Sequence, residues 1–134
     1  MDRQDRARGQ NLVEFAVILG VLILIILGVF DLGRAFHSYI VITNAAREGA
    51  NYGAMHPADE IGIIARVISE AQDSGITLEA GNVDIDTQVN PVTNLPIPGA
   101  PMCVTVHYDF YLLTTYLFGE RLMRLTSIVE MVNY

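Results

Sequence analysis

From Phe15 to Phe30 the chain reads FAVILGVLILIILGVF, sixteen residues without a charge. Leu12 and Val13 precede Glu14, so the acid sits two residues inside an apolar stretch that begins at Leu12. Counted from Leu12 the stretch is nineteen residues long. At 1.5 Å per residue it makes about 28 Å of helix, enough to cross the hydrocarbon of a bilayer. A carboxylate at the centre of such a helix costs roughly 2.5–3.5 kcal/mol on insertion scales, and less towards the interface. Glu14 therefore belongs near one interface, either paired with a cation or snorkelling to the headgroups with no partner.

The helical pattern continues past the apolar run. No proline occurs between Asp31 and Met55, and the first breaker is Pro57. Asp31 and Arg34 are three apart and can pair on one face. Tyr39, Ile42, Ala46, Gly49, Ala50 and Gly53 recur at helical spacing, with large residues giving way to small ones. A face of Ala46, Gly49, Ala50 and Gly53 admits another backbone closely. Each glycine costs roughly 1 kcal/mol of helix propensity relative to alanine, which packing against a helix or sheet must offset. The pattern predicts one helix from Gln10 to about Met55, half in lipid and half in water, with a bend allowed near Gly28 or Gly33.

Ala58 to Ser74 reads as a second, amphipathic helix with Asp59 at its start, a stripe of Ile61, Ile64, Ala65, Ile68 and Ala71, and Gly75 as its stop. Three alternating segments follow. Val83 to Val89 turns Val83, Ile85 and Val89 inward, and Cys103 to Phe110 places Val104, Val106, Tyr108 and Phe110 on one face. In Arg121 to Val132 the face of Met123, Leu125, Ser127, Val129 and Met131 is the more apolar and should meet the helices. The proline-rich run from Asn90 to Pro101 between the first two strands predicts an exposed irregular loop. The expected class is α+β: a long N-terminal helix, a second short helix, and an antiparallel sheet of three or four strands packed on the long helix. The expected divisions are a leader at 1–9, a membrane segment at 10–31, its soluble continuation at 32–56, and an outer domain at 57–134.

Charge orients the arrangement. The chain holds 134 residues and a formal net charge of −7, and every one of its eight bases is arginine. Before Gly9 stand Arg3, Arg6 and Arg8 against Asp2 and Asp5; from Asp31 onward twelve acids face five arginines. By the positive-inside rule the leader stays cytoplasmic and the acidic part crosses. Such a surface repels nucleic acid. The single cysteine, Cys103, excludes an internal disulfide and reads as a small buried residue opening a strand.

Candidate chemistry is sparse. Asp84 and Asp86 alternate on a strand, which reads as a solvated face rather than a calcium site. His37, His56 and His107 lack metal-ligand spacing. No serine stands in a nucleophile elbow and no glycine-rich phosphate loop is present, so no catalytic residue, metal or cofactor is expected. Tyr108, Tyr111 and Tyr116 read as core or rim residues, with an adhesive surface as the alternative.

The runs Gly9-Gln-Asn-Leu-Val-Glu14-Phe-Ala-Val, Phe30-Asp-Leu-Gly-Arg-Ala-Phe36 and Asn44-Ala-Ala-Arg-Glu-Gly-Ala50 resemble the TadE/TadG-like family, pilin-like proteins of the tight-adherence (Flp-type) pilus system. The resemblance implies cutting after Gly9 by a prepilin peptidase, with Gln10 as the new N-terminus and Glu14 as its fifth residue. It implies as partners that peptidase, other pilin-like subunits, the pilus assembly platform and, before assembly, membrane lipid. The length of this chain beyond that of main Flp-type subunits implies a minor or priming role. A free amine at Gln10 lies at the membrane depth of Glu14, and a neighbouring subunit's amine is a cation the carboxylate can pair with. Two rival readings remain: a permanently anchored membrane protein whose outer domain binds a partner, and an exported hydrolase whose signal, with Gly33 and Ala35 before the cut, is discarded at Phe36.

Overall fold

The computed structural model describes residues 3–113, 119 and 122–132. Tyr116 and Arg121 lie outside the described residues. The chain forms a long helix α1 (Arg3–Met55), a helix α2 (Glu60–Asp73), a 3₁₀ turn (Ala80–Asn82), and strands β1 (Val83–Thr87), β2 (Pro101–Tyr111) and β3 (Leu122–Val132). The strands form one antiparallel sheet in the order β1-β2-β3. The α+β class and the packing of the sheet against the long helix agree with the expectation from the sequence.

α1 is continuous through the apolar run and its soluble extension, and it begins at Arg3 rather than at Gln10. Its two halves behave differently. In the first half the large apolar side chains point outward on every side, from Leu12 to Phe30. In the second half one face closes over a core: Ala35, Val41, Ile42, Ala45, Ala46, Ala50 and Ala54 are buried. Tyr39, expected on that face, is 46% exposed; Ala35 and Ser38 occupy the buried positions there instead.

α2 lies across the second half of α1. Asp59 caps it, its carboxylate accepting the Gly62 N–H at 3.0 Å. The helix starts at Glu60, two residues later than the sequence pattern suggested. Its buried residues are Ile63, Val67 and Ala71, whereas Ile61 is 83% exposed and Ala65 is also exposed, so the expected stripe is rotated. The sequence Ile-Gly-Ile-Ile-Ala-Arg-Val-Ile supplies apolar residues at helical spacing in more than one phase. The partner surface on α1 selects the phase that buries Ile63 and Val67.

The sheet presents Val83, Met102, Val104, Val106 and Phe110 to the core, with Tyr108, Leu125, Val129 and Met131 packed at its margin. Fully burying an aliphatic side chain such as Ile42 or Ile63 contributes about 1.5–3 kcal/mol. The one polar interruption on the inner face of β3, Ser127, is buried and donates to Thr43 Oγ1 at 3.1 Å, while Thr43 donates to the Tyr39 carbonyl. β2 starts two residues earlier than expected, with Pro101 opposite Val132 at the strand's first position, where a missing N–H is tolerated. Cys103 is thus the third residue of β2, half-buried, on the outer face between Asp86 of β1 and Glu130 of β3, and not a buried strand opener.

The outer face carries the charges. Asp84 and Asp86 are exposed on β1. His107 bridges β1 and β3, with Nε2 3.2 Å from Asp84 Oδ2 and Nδ1 3.0 Å from Thr126 Oγ1. Beside it Arg124 makes a two-pronged contact with Asp109, Nε at 2.9 Å from Oδ1 and Nη2 at 3.3 Å from Oδ2.

Candidate functional site

Three places on α1 concern the function. The first is the apolar half itself. Phe15, Val17, Ile18, Val21, Ile25, Ile26, Val29 and Phe30 are all exposed, and no residue of this segment is buried by the rest of the chain. A helix that is apolar all round is stable only where lipid or other chains surround it. Glu14 lies in this segment with its side chain exposed among Val13 and Phe15. Gln10 is one turn earlier on the same side of the helix, about 6 Å along the axis. The Gly9–Gln10 bond lies within helical backbone.

The second is the small-residue face. Gly49 lies directly beneath α2: a Cβ there would overlap Val67 Cγ2 and approach Ile63 Cγ2 to 3.6 Å. One turn on, a Cβ at Gly53 would overlap Met102 Cε and come within 2.9 Å of Ile63 Cδ1. Ala46 and Ala50 are fully buried beside them. Within this chain the face therefore packs against α2 and β2. At its far end Tyr52 donates to Asp59 Oδ2 at 2.8 Å and stacks on His56 with ring centroids 4.6 Å apart. That phenol and the Gly62 N–H hold the Asp59 carboxyl below the usual range, and the same hydrogen bond raises the Tyr52 phenol.

The third is the junction where the apolar half meets the outer fold, of which the sequence pointed out only the Asp31–Arg34 pair. Asp31, the first charge after the apolar run, is 2% exposed. Its Oδ1 accepts the Leu113 N–H at 2.9 Å and lies 3.5 Å from Arg34 Nη1, the pairing expected from their spacing. Arg34 in turn sits over the Phe110 ring, 5.1 Å from its centroid. Beside this tie lies a groove of about 710 Å³ between α1, the turn Ser74–Ile76 and β2. An acid placed directly after an uncharged run was the available signal for the tie. The groove had none, because it depends on where the α2 turn comes to rest.

Elsewhere the candidate chemistry is structural. Among the described residues no three His, Cys, Asp or Glu side chains are grouped to hold a metal ion. Burial, then the Glu130 and Asp86 carboxylates, push the Cys103 thiol up, which makes it a poor nucleophile.

An unpartnered apolar half and a second half carrying a small antiparallel sheet, on one unbroken helix, define a pilin-like α+β layout. Residues 9–51, a segment that takes in Gly9, Glu14, Asp31 and Gly49, match the family model described as TadE-like protein. No curated protein and no solved structure matches the chain.

Proposed function

We propose that this protein is a structural subunit of a tight-adherence type IV pilus system, inserted in the membrane by residues 10–31, cut after Gly9 by a prepilin peptidase, and then incorporated into, or priming, the pilus. The observation that carries this reading is the coincidence of the TadE-like match with an apolar helix that finds no partner in its own chain. The leader 1–9 stays on the cytoplasmic side and the domain at 57–134 is exported, as the charge asymmetry favours. In the assembly the Glu14 carboxylate pairs with the Gln10 α-amine of a neighbouring subunit. Such a pair is strong where lipid or packed helices exclude water, and it sets the register of one subunit against the next. The small-residue face of Ala46, Gly49, Ala50 and Gly53 holds the outer fold on the helix. The role is that of a scaffold element rather than an enzyme.

The test is the mature N-terminus, read by mass spectrometry of protein from membranes and from material sheared off the cell surface. Chains beginning at Gln10 in both fractions are the expected result. An intact Met1 confined to membranes would overturn processing and leave a permanently anchored protein; a start at Phe36 would indicate a discarded signal.

A further inference from the structure

The junction groove is amphipathic along the helix axis. Its lower wall is Ile25, Ile26, Val29 and Phe30, all exposed to it from the last turns of the apolar run. Its upper wall carries Arg34, His37 and Ser38, with Ser74 across from them. On the membrane-spanning reading above, on which this inference rests, the lower wall stands in hydrocarbon. A cavity there lined by aliphatic groups does not hold water, and apolar matter must fill it.

Height along the axis decides what else the occupant carries. With Phe30 at the hydrocarbon edge, Arg34 stands about 6 Å and His37 about 10 Å further out. The headgroup zone adds roughly 5–7 Å to each side of the hydrocarbon, so Arg34 lies at the level of lipid phosphates. The Asp31 carboxylate and the Phe110 ring hold the guanidinium in place, yet its side chain is still 42% exposed. A guanidinium has five N–H donors, and one ion pair leaves others for phosphate oxygens.

We propose that this groove binds an anionic phospholipid of the surrounding bilayer, one acyl chain lying along Ile25 to Phe30 and the phosphate meeting Arg34. The apolar helix of a second copy fits the lower wall less well. A parallel copy in the same bilayer presents its own Arg34 at the height of Arg34, so like charges meet, and its Asp31, about 4.5 Å lower, is buried in its own fold against Leu113.

The experiment uses the full chain in dodecyl maltoside micelles doped with equal amounts of palmitoyl-oleoyl phosphatidylglycerol and phosphatidylcholine, read by native mass spectrometry. One retained phospholipid per chain is expected, with phosphatidylglycerol favoured about fivefold, the worth of one basic side chain near a lipid surface. Arg34→Gln should abolish the preference and Arg34→Lys should keep it. Gly33→Leu, which adds a side chain at the groove where a Cβ meets nothing within 4 Å, should cut retention severalfold. Equal retention of the two lipids, no effect of Gly33→Leu, or an Ile26→Cys chain that cross-links to a second copy while excluding lipid would each overturn the proposal. Alkaline carbonate extraction of membranes separates the two readings. A chain that is extracted fails as a membrane-spanning protein, whereas one that resists extraction yet retains no lipid fails only at the groove.

Discussion

The Leu113 N–H donates to Asp31 Oδ1 at 2.9 Å, joining the end of β2 to the residue at which α1 leaves its apolar run, 82 positions earlier in the chain. The bond fixes the outer fold on the helix at the boundary between two solvents. Asp31→Ala should therefore destabilise the outer fold by about 1.5–3 kcal/mol, the usual worth of a hydrogen bond to a charged group. Asp31→Asn, which keeps a carbonyl oxygen, should cost less. Urea unfolding of the full chain in detergent, followed by tyrosine near-UV circular dichroism, measures both.

Glycine substitutions should fall into two classes. Gly49→Ala gains about 1 kcal/mol of helix propensity, but its methyl runs into the stiff, branched Val67 side chain, and overpacking of this kind costs roughly 1–3 kcal/mol. The net effect is a loss. Gly53→Ala meets mainly the flexible end of Met102 and should lose less. Gly28→Ala, with open space around its Cβ, should be neutral or stabilising. Thermal unfolding of the three variants in the same micelle gives the order.

The pH dependence has a definite sign. Asp109 is held below the usual carboxylate range, first by its hydrogen bond from Arg124, and Asp59 likewise by Tyr52. Carboxyls depressed in the folded state contribute stability above their unfolded values, near pH 4, and that contribution is lost as pH falls through the folded values. The raised Tyr52 phenol acts at the other end: its contribution is present below about pH 10 and is lost as pH rises through its folded value. Melting temperature against pH should fall at both extremes, and the acid limb should flatten in an Asp59→Asn, Asp109→Asn double variant.

Cys103 should alkylate slowly. Burial and its cross-strand neighbours Asp86 and Glu130 raise the thiol, so at pH 8 iodoacetamide should react with folded protein severalfold more slowly than with the urea-unfolded chain. Asp86→Asn with Glu130→Gln should recover part of that difference. Equal rates in the folded variant and the folded parent would show that burial alone is responsible.

Glu14→Gln should leave insertion intact, since it removes a charge from an apolar segment, and should abolish recovery from the sheared surface fraction. Immunoblots of membrane and sheared fractions read the two effects separately. Undiminished recovery in the sheared fraction would remove Glu14 from the assembly.

The elements themselves were legible because each has one strong period. The unbroken α1, the alternating strands and the inner face of β3 follow from spacing alone. What spacing does not carry is the choice between equivalent phases. α2 offers isoleucines in more than one helical phase, and the glycines of α1 decide that Ile63 is buried while Ile61 is exposed. Tyr39 falls on the core face by spacing, yet Ser38 and Ala35 are the residues small enough for the close approach there. Cys103 is not the strand opener because β2 begins at Pro101, a residue that reads locally as loop and becomes strand only through its pairing with Val132. At the candidate site, Glu14 and the small-residue face stood out in the sequence. The junction groove comes from the meeting of three distant segments, which no local pattern encodes.

Because α1 passes from the apolar half into the sheet-bearing half as one helix, the two halves share a rotational phase. Glu14 lies seventeen residues before Asp31, about 100° short of five full turns. The azimuth at which Glu14 projects is therefore tied to the direction the sheet faces. Exchanging one apolar residue for another between them leaves that angle alone. Adding or deleting a single residue swings the carboxylate by about 100° around the axis, so the segment between them acts as an angular gauge as well as an anchor.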